Sequence, residues 1–470
     1  MSRENLTPAS PDTRSQRLVL LLVCMGSVLM PFTMAAVNIA IPSMAADLQA
    51  DAASIAWMPT LFLLANVALI LPFGKLADNY GRKRIYLLGL ALSALASLGS
   101  WFSPTIDWVL FFRVLQGASS AMIFGSSLAL LTSVFPANAR GLPLGLNTAS
   151  VYIGLTIAPA IGGWLTQVFS WRAVFFVPIP VALGLIVIGV VLVKGEWKKD
   201  QHSRFDWIGT ALFAGWALTF VTGFTKIPAG QGIVLLLASF TFIGLFIYHQ
   251  SRNQEPLIRV QLFRENRMFG FSLLTAFLMY ASNYPLAFLL SLYLQYIRGL
   301  SPAESGQVLL VQAIAMALIA PFSGKFSDRL QPRLLSTGGC LVTLIGFLCL
   351  LKLHEATPTV LISAALFLVG IGFGLFSSPN HNAIISSVEN KDLGVASASL
   401  SLARVCGNIV AMSVVTGLIH LLIGSELITP ANYPDLMQTV HIAIYISVGL
   451  VTAAAIISVR RGRMVHSPGS

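Results

Sequence analysis

The chain is organised around the stretch Gly74-Lys75-Leu76-Ala77-Asp78-Asn79-Tyr80-Gly81-Arg82-Lys83-Arg84, a charged hairpin between two long apolar runs. A shorter copy, Pro321-Phe322-Ser323-Gly324-Lys325-Phe326-Ser327-Asp328-Arg329, repeats the Pro-Phe-Gly-Lys-x-x-Asp theme of Pro72 to Asp78. The two glycines Gly74 and Gly324 stand 250 residues apart. A charged hairpin repeated at this distance in an apolar chain predicts a membrane protein built from two related halves.

Composition indicates a membrane-embedded chain. Hydrophobic residues make up 56% of the sequence and charged residues only 10%, against about 25% charged in soluble domains. The apolar blocks have the length of about 20 residues that crosses a bilayer, and a backbone in lipid must form helices to satisfy its hydrogen bonds. Fourteen spans are predicted, near residues 17–41, 55–76, 84–102, 108–131, 141–165, 172–194, 206–224, 231–249, 269–296, 305–326, 333–353, 358–379, 394–422 and 440–459.

The basic residues predict the orientation of these spans. The net charge is +11, and 23 of the 29 lysines and arginines fall in the two tails and the connections on the same side. The other side holds four, Arg172, Lys226, Arg298 and Lys352. Because cytoplasmic loops are enriched in Lys and Arg, both termini are predicted to be cytoplasmic in an inner (plasma) membrane. The positive charge therefore reflects topology, and no nucleic-acid partner is expected.

A second repeat defines the domains. Gly141 and Gly154 in span five have the same separation as Gly394 and Gly407 in span thirteen. Spans one to six thus correspond to spans nine to fourteen. We predict an all-α polytopic membrane protein with two pseudo-symmetric six-helix bundles and two inserted helices. Its expected parts are a cytoplasmic tail at 1–17, a bundle at 18–194, the inserted pair at 195–250, a bundle at 251–460 and a cytoplasmic tail at 461–470.

The charged hairpin has a physical interpretation of its own. Asp78 ends span two and Arg82 opens span three, while Gly74 permits close helix approach and Gly81 a sharp turn. A carboxylate among cations at a helix end can latch two bundles together; the alternative is a plain basic cytoplasmic loop. The predicted latch also includes the repeat residues Gly324 and Asp328.

The hairpin resembles the cytoplasmic loop signature of the major facilitator superfamily. Arg113-Val114-Leu115-Gln116-Gly117 resembles its Arg-x-x-Gln-Gly signature. Gly154-Leu155-Thr156-Ile157-Ala158-Pro159-Ala160-Ile161-Gly162-Gly163 resembles its antiporter signature, with Ala158 in place of one Gly. Further stretches resemble the fourteen-helix drug:proton antiporter branch; they begin at Trp171, Phe205, Pro256, Leu262 and Tyr293.

The resemblance covers nearly the whole chain. It implies the major facilitator fold and rocker-switch alternating access, with a site between the halves near mid-membrane. It also implies that Asp78 and Arg82 belong to a charge network that stabilises the outward-facing state.

The stretch from Gly154 to Gly163 also has an interpretation that does not depend on the resemblance. Gly154, Ala158, Gly162 and Gly163 are small residues that allow a helix to pack tightly against a neighbour, and Pro159 permits a bend. Generic close packing is one interpretation. The other, which the resemblance favours, is a bend that seals a leak path.

Two of the lysines and arginines lie deep inside predicted spans, Arg113 and Arg404. Burying a charge costs several kcal/mol, so such residues are functional candidates. Arg113 can pair with Gln116, and Arg404 shares a helix face with Ser401 and Asn408. The alternative for each arginine is hydrogen bonding to backbone carbonyls in a bent helix.

None of the 18 acidic residues lies deep in a span. The drug-efflux branch usually carries an Asp in helix one, five residues before the Asn of a Val-Asn-x-Ala-x-Pro stretch. Here that stretch is Val37-Asn38-Ile39-Ala40-Ile41-Pro42, and Thr33 holds the position of the Asp. We therefore expect neutral, zwitterionic or anionic amphiphiles to fit better than strong cations. Proton coupling must use other groups, such as Asp78, Asp328 or His381, or be absent.

Polar residues within the spans are candidates for the substrate and proton pathway, although a helix–helix hydrogen bond is the alternative role of each. The predicted pathway residues are Thr33, Asn38, Asn66, Arg113, Gln116, Asn283, Gln312, His381, Arg404 and Asn408; Asn147, Tyr152 and Tyr280 are further possible cavity residues.

The predicted function is secondary active transport, with proton-coupled export of amphiphilic drugs or toxic compounds. The alternative is a transporter of a specific small metabolite such as an organic anion, its coupling ion left open. An enzyme or ATP-driven pump is not expected, because the Gly-Lys pairs precede Leu76 and Phe326 rather than Ser or Thr and the seven histidines form no metal motif. We expect no cofactor, a proton gradient as energy source, the bilayer as environment, and a monomer; accessory export proteins are left open.

Overall fold

The computed structural model describes residues 13–136, 141–198, 205–227, 229–253, 256–258, 260–327, 330–388 and 393–462. Within these ranges fourteen helices are long and apolar enough to cross a membrane, and no strand is present. In chain order they are α1 (Thr13–Leu48), α2 (Ala52–Tyr80), α3 (Arg82–Trp101), α4 (Ile106–Val134), α5 (Gly141–Val168), α6 (Arg172–Leu192), α7 (Trp207–Thr225), α8 (Gly230–Arg252), α9 (Arg267–Ile297), α10 (Pro302–Ser327), α11 (Pro332–Leu350), α12 (Thr359–Ser386), α13 (Leu393–Leu422) and α14 (Tyr433–Arg460). The predicted all-α fold with fourteen spans is confirmed.

Polar residues in the short connections cap the N-termini of the helices that follow. The side chain of Asp51 accepts a hydrogen bond from Ser54 N at 2.7 Å at the start of α2. Asn266 caps α9 by accepting from Phe269 N at 3.0 Å. Such N-caps satisfy backbone N–H groups that have no partner within the helix. Because fourteen is even, α1 begins and α14 ends on the same face, here called the terminal face; the opposite one is the distal face.

The helices form two six-helix bundles with the same internal packing. In the first bundle α1 packs on α5, α2 on α4, and α3 on both α4 and α6. The second bundle repeats this arrangement, with α9 on α13, α10 on α12, and α11 on both α12 and α14. The two bundles meet along two seams, α2 with α13 and α5 with α10. These two seams are equivalent under the repeat, so the bundles are related by pseudo-symmetry.

The inserted helices α7 and α8 pack on each other, and α7 also packs against α2 and α13. The buried side chains of Phe213, Ala217 and Val221 on α7 join the same apolar core as the bundles. Residues of α8 are more exposed, as expected of a helix that faces lipid. The inserted pair therefore covers one of the two seams, that between α2 and α13.

A buried carboxylate joins the two inserted helices at the terminal face. Asp206 caps α7 by accepting from Gly209 N at 2.8 Å. It also hydrogen-bonds His249 Nε2 at 2.8 Å and accepts from Gln250 Nε2 at 2.7 Å, both on α8. Burial raises the pKa of Asp206, but these three hydrogen bonds outweigh it and hold the pKa below its ordinary value. Gln250 in turn accepts from Leu257 N at 2.6 Å, which fixes the chain leading to the second bundle.

A buried arginine joins three helices of the second bundle at the terminal face. Arg461, which is 2% exposed, donates to Asn380 Oδ1 at 2.7 Å and to Pro332 O at 2.8 Å. Burial lowers the pKa of Arg461 to about 10. The guanidinium therefore ties the end of α14 to α11 and α12.

Candidate functional site

The charged hairpin is anchored to its own bundle. Gly81 has a φ of 123°, which a glycine adopts without strain. Asp78 accepts from Arg82 Nε at 2.9 Å and from a second guanidinium nitrogen of Arg82 at 2.7 Å. Arg82 also donates to Ala129 O at 3.1 Å and to Ser133 Oγ on α4. The ion pair thus joins the ends of α2 and α3 to α4.

The segment after α6 also holds the hairpin, and sequence reasoning had not included it. Glu196 accepts from Lys83 N at 2.9 Å, and Arg82 N donates to Trp197 O at 2.8 Å. A Cβ added at Gly81 would lie 2.6 Å from the carboxyl carbon of Glu196. The signal available in the sequence was one glutamate in a connection dominated by lysines.

The two repeated glycines of the hairpin theme take equivalent positions. A Cβ at Gly74 would be 3.5 Å from Gly125 O on α4, and one at Gly324 would be 3.6 Å from Ser378 Cβ on α12. Both distances are ordinary van der Waals contacts, so each glycine faces its packing partner with room for a methyl group. Asp328, the predicted counterpart of Asp78, lies outside the described residues.

Helix α5 uses its small residues on one face to approach α1. A Cβ added at Gly154 would lie 2.3 Å from Val28 O, and one at Gly162 would lie 2.9 Å from Ala36 Cβ. Gly407 is in the equivalent position on α13, where an added Cβ would lie 2.4 Å from Phe277 O of α9. The repeated glycines of the sequence therefore make repeated contacts inside each bundle.

The same stretch of α5 also packs across the seam against α10. A Cβ added at Gly163 would lie 2.4 Å from Pro302 O, and one at Gly306 would lie 2.3 Å from Pro159 O. Real Cβ atoms essentially never come within 3.0 Å of another heavy atom. The bundles therefore touch backbone to backbone near the distal face, and Pro159 contributes its carbonyl to that contact.

Hydrogen bonds also join the bundles near the distal face. Ser291 Oγ on α9 donates to Asn38 O at 2.9 Å, and Gln295 Nε2 donates to Ile39 O at 3.0 Å. At the seam between α2 and α13 the hydroxyls of Thr60 and Thr416 lie 2.7 Å apart. These bonds and the α5–α10 contact together form what we call the distal seal.

A cavity of about 180 Å³ lies between the bundles on the terminal side of the distal seal. Both bundles contribute apolar side chains to it, among them Phe62, Phe124, Met316 and Phe373. Its polar side chains are Asn38, Asn66, Ser120, Tyr152, Tyr280, Asn283, Tyr284, Gln312, Ser401, Arg404 and Asn408. Among the described residues that line it, Arg404 is the single charged one and none is a carboxylate.

The amides of the cavity differ in how they are satisfied. Asn66 donates to Ser120 Oγ at 2.8 Å, and Gln312 donates to Asn283 Oδ1 at 2.7 Å. Asn38, Asn66 and Asn408 are each less than 9% exposed, and the Oδ1 of each has no hydrogen-bond partner. Buried polar atoms nearly always have a partner. These three amides therefore offer hydrogen-bonding capacity to a molecule in the cavity.

Arg404 lies at mid-helix in α13, partly exposed to the cavity. Its guanidinium carbon is 5.7 Å from the centre of the Tyr280 ring. It interacts electrostatically with Tyr152 of the opposite bundle and with His381 on α12. Within the described part of the chain no carboxylate forms an ion pair with Arg404. His381 does not line the cavity.

Arg113 is fully buried and lies outside the cavity wall. It donates to Gln116 Oε1 at 2.9 Å, the pairing that its sequence spacing suggested, and to Met58 O at 3.2 Å. The guanidinium stacks 4.6 Å from the centre of the Phe62 ring, which separates it from the cavity. One guanidinium nitrogen of Arg113 and the hydroxyl of Tyr284 are both buried without a hydrogen-bond partner.

Six of the ten predicted pathway residues line the cavity: Asn38, Asn66, Asn283, Gln312, Arg404 and Asn408. Arg113, Gln116 and His381 do not line it. Thr33 is 2% exposed and donates to Leu29 O of its own helix at 2.9 Å, so its hydroxyl is satisfied within α1. Sequence reasoning missed Ser120 and Tyr284. The latter follows Tyr280 by one helical turn, a spacing that places both on one face.

Two pseudo-symmetric six-helix bundles facing each other across a cavity of mixed lining are an architecture found in membrane transporters. A family model described as Major Facilitator Superfamily matches residues 23–412 and 272–464. The chain belongs to the major facilitator superfamily, as the resemblance of its motifs indicated.

Similar proteins support this assignment. The chain is 28% identical to the riboflavin transporter RibZ of Clostridioides difficile (strain 630) over 82% of this chain and 84% of the relative. It is 31% identical to the tetracenomycin C resistance and export protein of Streptomyces glaucescens over 83% of this chain and 73% of that protein. Its fold is similar to the crystal structure of a bacterial homologue of the human lysosomal transporter Spinster in an inward-facing, unoccupied conformation. The TM-score is 0.64 and the identity 16%, over 96% of this chain and 97% of the other.

Proposed function

We propose that this protein is a secondary active transporter that exports amphiphilic small molecules by alternating access. The observation that carries the proposal is the cavity between the bundles, which combines apolar side chains with unpartnered amides and is bounded by the distal seal. A cavity with this mixed lining suits a molecule with an apolar body and a few polar groups. The relatives named for riboflavin transport and for tetracenomycin C resistance and export support a small organic substrate.

We further propose that the terminal face is cytoplasmic and that the membrane is the inner (plasma) membrane. The excess of basic residues on that side supports this orientation. With this orientation the distal seal lies on the outer side, and this supports assigning the structure to an inward-facing state. The Asp78–Arg82 pair, which here also binds α4 through Arg82, is proposed to latch the bundles when the protein faces outward.

Proton coupling is part of the proposal. No carboxylate is found among the described residues of the cavity wall, and we therefore propose a proton carrier beyond it. His381, next to Arg404, and the hairpin carboxylates Asp78 and Asp328 are the candidates. Arg404 also favours the second candidate function, transport of one specific organic anion.

Purified protein in proteoliposomes with an imposed pH gradient tests the function. Export predicts that a lipophilic dye accumulates against its own gradient and that a protonophore abolishes the accumulation. Dye that only equilibrates, as through a channel, would contradict the proposal. Uphill transport that is insensitive to the protonophore would contradict the proposed coupling to protons. A transport rate restricted to one anion in a chemically diverse panel would favour the second function.

A further inference from the structure

We propose that the preferred substrate of the cavity is an amphiphilic organic anion, a carboxylate or sulfonate on an aromatic body, whose acidic group binds Arg404. This inference rests on the proposed transport function and names the substrate class of the same cavity.

The charge of the cavity is the first argument. Arg404 is the single charged residue of the described lining, and no described carboxylate pairs with it. The ring of Tyr280 at 5.7 Å attracts the guanidinium but cannot neutralise it. Ion pairs are several times stronger in the low dielectric of a protein interior than in water. An acidic substrate would supply the missing opposite charge.

The tyrosines beside Arg404 form the second argument. Tyr280 belongs to the same bundle as Arg404, and Tyr152 belongs to the opposite one; both line the cavity. Tyr152 interacts electrostatically with both Tyr280 and Arg404, so the three side chains lie together. Phenol hydroxyls donate hydrogen bonds to anionic oxygens. An anion at this position would thus contact both bundles, which is what a substrate must do to favour their closure.

The remaining wall of the cavity suits the rest of such a molecule. Phe62, Phe124 and Phe373 offer aromatic surface to a planar body. The unpartnered amides of Asn38 and Asn408 offer hydrogen bonds to its polar substituents. A permanent cation would find no carboxylate among the described lining residues and would be repelled by Arg404.

Three probes and three variants test the inference on the full-length protein. 8-Anilinonaphthalene-1-sulfonate is the anion, N-phenyl-1-naphthylamine is its uncharged counterpart, and tetraphenylphosphonium is the cation. The variants are Arg404→Gln, Arg404→Lys and the control Arg252→Gln. Arg252 is an exposed arginine stacked 4.6 Å from the Tyr248 ring on α8, outside the cavity lining. Dissociation constants are measured in detergent, and efflux of each probe is measured in proteoliposomes.

The parent protein is expected to bind the sulfonate at least about tenfold more tightly than the uncharged probe. Arg404→Gln should weaken sulfonate binding by about 10- to 100-fold, the range for hydrogen bonds to charged groups, and leave the uncharged probe within about twofold. Arg404→Lys should retain part of the affinity, since it keeps the charge but loses the planar fork. Arg252→Gln should change neither. Unchanged affinity for the uncharged probe shows that Arg404→Gln is folded.

Preferred binding of tetraphenylphosphonium, or sulfonate binding that is insensitive to Arg404→Gln, would overturn the inference. If the uncharged probe is exported while the sulfonate is neither bound nor exported, the anion preference is wrong and the export function stands. If no probe is exported under a pH gradient, the proposed function fails. In that case the dependence of sulfonate affinity on Arg404, measured in detergent, still tests whether the cavity binds an anion at this residue.

Discussion

Substituting Gly306 with alanine should shift this protein away from the state in which the distal seal is closed. The added Cβ would lie 2.3 Å from Pro159 O, where real contacts begin at 3.0 Å, so α5 and α10 must separate by about 0.7 Å. Overpacking of this kind costs about 1–3 kcal/mol. Because the cost falls on the closed seam and is relieved when the seam opens, the equilibrium should move by about 5- to 150-fold.

Electron–electron distance measurements between spin labels can follow this shift. Phe102 at the end of α3 and Val360 at the start of α12 are 72% and 77% exposed, and they lie at the distal ends of opposite bundles. In a background without the four native cysteines, Gly306→Ala should increase the population with the longer distance between the labels. Gly163→Ala, whose Cβ would lie 2.4 Å from Pro302 O, should act in the same direction.

Two glycines of α5 provide controls. A Cβ at Gly145 meets nothing within 4 Å, so Gly145→Ala should leave the distance distribution unchanged. Gly154→Ala clashes with Val28 O inside the first bundle and should lower stability without opening the seam. An unchanged distribution in both Gly306→Ala and Gly163→Ala would refute the reasoning. So would an equal shift in Gly145→Ala.

Three further predictions concern hydrogen bonds of the described structure. Asp206→Ala should lower the free energy of unfolding by about 1.5–3 kcal/mol, since three donors lose a charged acceptor. Because the pKa of Asp206 is lower in the folded state, this stabilisation is fully present above the unfolded pKa of about 3.9. It is lost as the pH falls through the folded pKa. The melting temperatures of parent and variant should therefore converge in acid. Arg461→Ala should destabilise by about 2–6 kcal/mol, because two acceptors lose their donor at about 1–3 kcal/mol each. Arg333→Ala, which loses one exposed hydrogen bond of 3.3 Å, should change the melting temperature little. Thr60→Val should weaken the distal seal by about 0.5–1.5 kcal/mol through loss of the bond to Thr416, visible with the same spin labels; an unchanged distribution would assign that bond no role in the seal.

The sequence determined the architecture because each feature of it is local. Apolar blocks of bilayer length fixed the fourteen helices, since a chain in lipid has no other way to satisfy its backbone. The repeated glycines Gly154 and Gly407 marked equivalent helices, and the structure places both in backbone contact with equivalent neighbours. Polar residues inside apolar spans were also informative, because a polar group in such a place needs a partner or a cavity; Asn38, Asn66 and Arg404 line one.

Only the tertiary structure decided which polar residues reach the cavity. Arg113 and Arg404 look alike in the sequence, each a single cation in an apolar helix, yet Phe62 shields the first and the cavity exposes the second. Thr33 donates to its own helix backbone. The distal contact of Pro159 and Gly306 and the cover of α7 over one seam likewise join residues far apart in the chain. Helical periodicity groups residues on a face, but the packing of other helices decides what that face meets.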